Sequence, residues 1–336
     1  MISKTLLTIL LAYTATAQAG EEVNIYSHRH YPVDRMLFEQ FTEQSGIRVN
    51  VVKASADQLI KRLEVEGDQS PADVLITVDA GRLFRAQSKG LLQPVESQVL
   101  KAQVPAHLRD PAHHWFGLTM RARVIVYARD RVQPEQLSTY EALAEPQWKG
   151  KVLIRSAQNI YNQSLMASMI VAHGKAKAKI WAQGMVRNFA RVPKGNDRDQ
   201  VKAIASGIGD IAVVNSYYMG KLINSEDEAE RMAAAAVKLF FPNQDGRGTH
   251  INISGAGVTA SAKNVENAIK LLEFMSGPQA QQTFAKANFE YPVNPTVKAS
   301  SLKAMWGEFK TDFINLSLLG KHNFEAVTIF AESDWR

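Results

Sequence analysis

Residues 209–222 read GDIAVVNSYYMGKL, and the change of pattern inside that stretch decides the fold. An apolar run over 210–215 predicts a buried strand, Ser216-Tyr217-Tyr218 a turn, and the residues after it a short helix. In open α/β sheets the carboxyl ends of strands border the ligand crevice. Two tyrosines leaving the sheet side by side can both turn their rings toward one cleft.

Working outward, two other strand-to-helix junctions carry the same residue types. Strand 152–154, a loop over 155–162 holding Tyr161, and a helix with Leu165, Met166, Met169 and Ile170 on its buried stripe form one unit, ended by Gly174. Strand 23–27, a loop with His28, His30 and Tyr31, and a helix opened by Pro32 form another; Leu37, Phe38 and Phe41 share its inner face and Gly46 stops it. Between them a strand at 49–51, a helix at 57–66, a strand at 73–77 and a helix at 83–88 keep the alternation, Gly90 ending the helix and Pro94 the unit. That rhythm predicts an α/β fold of parallel, doubly wound units.

Two stretches break the rhythm. Residues 115–129 carry β-type residues over a length suited to a strand running from one lobe into another, and HINISGAGVT at 250–259 suits the return crossing. Helices are expected at 265–275 and 279–287, and a helical segment packed on the outside at 302–330. The 336 residues exceed what one core usually organises, so two lobes are expected.

Residues 1–19, MISKTLLTILLAYTATAQA, combine Lys4, an apolar run from Leu6 to Ala12 and the small-residue pattern Ala17-Gln18-Ala19. That is a secretory signal peptide, since the run falls well short of the ~20 residues of a membrane span. Cysteine is absent, which excludes disulfides, thiolate metal sites, iron–sulfur clusters and a lipoprotein anchor together. A periplasmic location is expected. The formal charge of +6 is interspersed rather than blocked, and no binding module accompanies it, so nucleic acid is not an expected partner.

An isolated tyrosine is usually a half-buried packing residue, and Tyr13, Tyr26, Tyr127, Tyr140 and Tyr291 are read that way. That leaves four of the 9 tyrosines at the three junctions. A free phenol titrates near ~10, so it binds a cation at neutral pH only if the cation displaces its proton. Ferric iron is hard and acidic enough to do so; ferrous iron, held by neutral imidazole and phenol, stays open. Zinc would recruit cysteine, histidine and carboxylates, and calcium clustered carboxylates.

Enzyme signatures are missing: there is no G-x-S-x-G, H-E-x-x-H or G-x-x-x-x-G-K-[ST], and Gly255-Ala256-Gly257 leads into β-type residues rather than a helix. Arg121 and Arg123 share a face of the crossing strand, to hold an anion, to stabilise phenolates, or as an ordinary surface ion pair. His28 rivals His30 as a donor if the strand persists that far. His113-His114 is read as solvated and His250 as a structural hydrogen-bonding residue.

At these residues the sequence resembles the periplasmic ferric-ion-binding proteins of ABC iron importers, the bacterial transferrin analogues of the type II solute-binding fold. The stretches that carry the likeness are NIYSHRHYPVDRML, PADVLITVDAGRLFRAQSKGLLQPV, FGLTMRARVIVY, RSAQNIYNQSLMASMI, GDIAVVNSYYMGKL and HINISGAG. The resemblance implies iron ligation by Tyr161, Tyr217 and Tyr218, with Tyr31 and His30 added from the first loop, where His28 replaces the family's usual small residue. It implies Fe3+ cargo, free or as a chelate, a carbonate-like synergistic anion in some members, hinge closure over the ion, and an inner-membrane ABC permease as partner; a monomer is expected. With the two extended segments it sets the lobes at 20–120 with 253–298 and 121–252 with 299–336. The rival readings are a binding protein for a small anion held by Arg121, Arg123 and helix N-termini, and an exported metal-dependent enzyme.

Overall fold

The computed structural model describes residues 21–336. The leader segment and Tyr13 lie outside the described residues.

Chain order is β1 (Glu22–Ser27), α1 (Pro32–Ser45), β2 (Arg48–Lys53), α2 (Ala56–Glu66), β3 (Val74–Val78), α3 (Ala80–Ser88), α4 (Gln98–Gln103), β4 (Phe116–Ala128) and β5 (Val152–Leu153). Then come α5 (Ile160–Asn188), α6 (Asp197–Ala205), β6 (Ile211–Asn215), α7 (Ser216–Ile223), α8 (Glu228–Ala235), β7 (Val237–Phe240) and β8 (Ile251–Val258). The chain closes with α9 (Val265–Ser276), α10 (Pro278–Asn288), α11 (Ser300–Trp306), α12 (Ser317–Lys321) and α13 (Asn323–Glu332). Local chemistry accounts for the boundaries: Pro32 opens α1, Ser55 caps α2, Asn159 caps α5, and Gly46 takes the left-handed φ of 73° that ends α1.

The strands run β2-β1-β3-β8-β4-β6-β5, with β7 added against β4. β1 pairs in parallel with β2 and β3, and β5 with β6, as the βα rhythm predicts. The crossings are antiparallel instead. β4 changes neighbours midway: Phe116–Ala122 pairs with β8, whereas the residues from Arg123 onward pair with β6 and those from Ile125 with β7. This exchange joins the two halves of one sheet, and the buried apolar residues form two clusters: the larger holds Ile25, Leu37 and Leu75 together with Tyr127, Leu165 and Ile211, and the smaller holds Val124, Val214 and Leu222.

Several expectations need correction. Ser216-Tyr217-Tyr218 is the first turn of α7 rather than a loop turn, and Tyr161 is the second residue of α5 rather than part of the preceding loop. Gly174, at φ 78°, does break α5, but the helix resumes to Asn188. Residues 307–316 are not helical: Thr249 N donates to Lys310 O and Asp312 N to Thr249 O, so backbone pairing holds that segment extended. α13 does pack outside, against α5, through Ala326, Ile329 and Phe330. β7, α4, α6 and α8 went unread. No helix among the described residues is long and apolar enough to cross a membrane.

Candidate metal centre

At each strand-to-helix junction the side chain stands at the helix start: Tyr161, Tyr217 and Tyr218 in the first turn, Tyr31 in the residue just before it. β6 ends at Asn215, and Tyr217 and Tyr218 follow within the first turn of α7, their ring centroids 4.2 Å apart. β1 ends at Ser27, and the loop to α1 brings the Tyr31 ring to 6.5 Å from that of Tyr217, edge to face. Tyr161 stands in the first turn of α5. One cleft of about 430 Å³ is lined by His28, His30, Tyr31, Tyr161 and Tyr218 together with Arg82, Arg155, Arg198 and Lys221. Tyr217 lies just behind it, 3% exposed.

Burial shapes the titration of these phenols. It pushes Tyr31 up to about 12, with the carboxylate of Glu290 and the neighbouring Tyr161 adding to it. Burial likewise raises Tyr217 and Tyr218, and the proximity of Tyr161 raises both further. Packed phenols of this kind stay protonated together unless a strong cation takes the place of their protons.

Tyr161 is the exception in its surroundings. The guanidinium carbons of Arg121, Arg123 and Arg155 stand 5.4, 5.8 and 5.4 Å from its ring centroid. Arg123 is fastened by Asp197 at 2.7 Å, Asn162 at 2.9 Å and Asn215 at 3.3 Å, and the other oxygen of Asp197 holds Arg155 at 3.1 Å. Arg121 has Asp79 at 3.6 Å, and neither of its terminal nitrogens has a hydrogen-bond partner. Both Arg121 and Arg123 are 2% exposed, so a surface ion pair is ruled out for either. Three guanidiniums therefore pack about one aromatic ring and concentrate positive charge at that corner of the cleft.

The histidines divide. His30 is exposed, its ring 5.0 Å from that of Tyr31. His28 is half-buried, its Nδ1 has no hydrogen-bond partner, and burial together with Arg82 draws its pKa down to about 4, leaving a neutral imidazole in the cleft. β1 stops at Ser27, so the two do not share a strand face. His113 and His114 are half-buried rather than solvated, held by Glu96 and Asp110. His250 is buried; its backbone N–H donates to Tyr140 Oη, but its ring Nδ1 has no partner. Tyr26, Tyr127, Tyr140 and Tyr291 are core residues, as read.

Sequence reading missed Arg155, Asp197 and Lys221. Lys221 had a signal, because it follows Tyr217 by four and Tyr218 by three and so shares their helix face. Burial draws its pKa down to about 8. Arg155 stood just after a predicted strand, at the crevice edge. Nothing local marks Asp197, which becomes a site residue only because α6 packs against β4 and β6.

Residues 69–309 match the family described as bacterial extracellular solute-binding protein. Iron uptake protein A1 of Synechocystis sp. is 50% identical over 316 residues, covering 94% of this chain and 88% of the relative. The Fe(3+)-binding periplasmic protein of Serratia marcescens is 28% identical over 85% of this chain and 83% of its own. A Trichodesmium structure in complex with iron and citrate ligands aligns with a TM-score of 0.91 at 51% identity, covering 94% of this chain and 100% of that one. The ferric binding protein of Campylobacter jejuni aligns at 0.88 and 42% identity, covering 94% and 100%. The match over 69–309 and the shared two-lobed α/β architecture together establish that the chain belongs to the bacterial extracellular solute-binding proteins, among relatives that include iron uptake and ferric-binding proteins.

Proposed function

We propose that this protein captures ferric iron in the cleft between its lobes and hands it to an inner-membrane ABC permease, without chemistry on the ion. The observation that carries this reading is that Tyr31, Tyr161 and Tyr218, from three separate strand-to-helix junctions, line one cleft, with the Tyr217 ring packed behind it against those of Tyr31 and Tyr218. Tyr161, Tyr217 and Tyr218 bind from the lobe of 121–252 and 299–336, and Tyr31 closes over the ion from the lobe of 20–120 and 253–298. His30, exposed at the rim, is the weaker fifth donor and His28 its neutral alternative. Phenols whose pKa burial raises favour Fe3+ over Fe2+, since a trivalent ion competes better with their protons.

The cleft is wider than a bare ion needs. Arg82, Arg155, Arg198 and Lys221 line it beside the capping asparagines Asn159 and Asn196 of α5 and α6. An anion accompanying the iron, a carboxylate chelate or carbonate, would meet these groups. Arg121 and Arg123 instead back the Tyr161 ring, which argues against the reading in which they alone hold a small anion. The protein acts in the periplasm, after removal of the leader, as a monomer.

Adding ferric citrate to the metal-free protein is expected to produce a visible phenolate-to-iron charge-transfer band. The Tyr217→Phe/Tyr218→Phe double variant is expected to lose it; an unchanged band and unchanged affinity in that variant would overturn the assignment.

A further inference from the structure

The loop that carries Tyr31 also holds Arg29, which borders the cleft but turns its guanidinium to buried partners. Arg29 is 2% exposed and spends its donors on the interior: Nε reaches Asp34 at 2.9 Å, Nη1 reaches Thr119 Oγ1 and Glu290 Oε1 at 3.2 Å each, and Nη2 reaches Glu290 Oε2 at 3.0 Å. The second oxygen of Asp34 accepts the backbone N–H of Tyr31 at 3.2 Å. One chain of charge-assisted bonds therefore runs from Glu290 through Arg29 and Asp34 to the backbone of Tyr31.

The far end of that chain sits on both crossing strands. β4 and β8 shift register between Gly117 and Thr119, after which Thr119 pairs with Ser254. Irregularities of this kind re-aim side chains. The Thr119 hydroxyl donates to Glu290 Oε1 at 2.9 Å and that of Ser254 approaches the same oxygen at 3.4 Å. The neighbour of Glu290, Tyr291, exchanges backbone bonds with Met120 of β4 at 2.7 and 2.8 Å. Arg29 also packs its guanidinium 5.2 Å from the ring centroids of Tyr31 and Phe284.

Resting on the iron-capture reading, we propose that Arg29 is a positioning residue which, through Glu290 and Thr119, clamps the Tyr31 loop to the two crossing strands, so that movement of those strands sets Tyr31 on or off the bound iron. Arg29 touches no iron itself. Its bidentate grip on Glu290 transmits orientation, which a lysine at the same place keeps in charge but loses in geometry.

The test follows iron release to a competing chelator by decay of the charge-transfer band, in the parent protein, Arg29→Lys, Thr119→Val, Tyr31→Phe and the Arg29→Lys/Tyr31→Phe double variant. Outer-shell partners of metal ligands typically contribute about 10-fold or more, so Arg29→Lys and Thr119→Val are each expected to release iron roughly 10-fold faster. In the Tyr31→Phe background Arg29→Lys is expected to add nothing, because its effect passes through Tyr31. Release unchanged in the folded single variants, or an Arg29→Lys effect that is fully additive to Tyr31→Phe, overturns the proposal. Thr119→Val removes only a hydroxyl and carries the test if the arginine variant does not fold. A parent protein without the band overturns the iron reading itself, a result distinct from either.

Discussion

Lys221 Nζ lies 3.5 Å from the centre of the Tyr31 ring, an ammonium of α7 seated on an aromatic face offered by the loop between β1 and α1. It is also 5.4 Å from the Tyr217 ring centroid, so one cation spans two of the phenols from opposite sides of the cleft. Contacts of this type contribute about 0.5–2 kcal/mol when partly desolvated. Lys221→Met is therefore expected to favour the open form of the metal-free protein by about 1 kcal/mol, seen as a larger radius of gyration in solution scattering. Because the lysine's pKa is drawn down to about 8, the ammonium and its contact are present below that pH and lost as pH rises through it. A radius unchanged in the variant counts against the contact.

Iron affinity should fall as pH falls. The buried phenols are protonated at neutral pH, with Tyr31 pushed up to about 12, so every tyrosine that ligates must release its proton. Each proton displaced makes the apparent affinity change about tenfold per pH unit. Competition with a chelator of known proton linkage between pH 6 and 8 should give a slope of two or more protons per iron; a slope near zero would mean that the phenols do not ligate.

Asp197 is fully buried and holds Arg123 with one oxygen and Arg155 with the other. Its removal in Asp197→Ala leaves two guanidiniums without their shared counter-charge, a change expected to cost about 3–5 kcal/mol. Denaturant unfolding of the metal-free protein measures it directly, and a loss below 1 kcal/mol would show that solvent reaches the pair.

Gly220 allows α7 to pass Phe289, the residue that ends α10 in a left-handed conformation at φ 56°. A Cβ at Gly220 would lie 2.3 Å from Phe289 Cγ and 2.7 Å from its Cβ, too near the backbone for the ring to swing clear. Gly220→Ala is expected to cost about 1–3 kcal/mol, and, if the contact joins the lobes, to speed iron release as well. Thermal unfolding and release kinetics separate the two effects; wild-type behaviour in both would mean that α7 shifts freely.

Much of this was legible along the chain because it is written in local pattern. Gly46 ends α1 where its left-handed φ is needed, Pro32 opens the same helix, and the apolar runs of β3 and β6 mark strands buried on both faces. The tyrosines could be assigned to junctions because a strand-to-helix boundary is itself local, although the reading put Tyr161, Tyr217 and Tyr218 just outside helices that in fact contain them. β7, with only 4 residues and one buried position, offered too little periodicity to be read.

By itself, the sequence determined the alternating α/β elements, the crossing stretches and the set of phenols brought to the crevice, since each follows from residues within a turn or two of one another. Only the tertiary structure decided the partners of the charges. Arg29 meets Glu290 across 261 positions of chain and Arg123 meets Asp197 across 74. Such pairs are chosen by strand order and register, and a buried arginine looks the same as an exposed one until the strands that enclose it are in place.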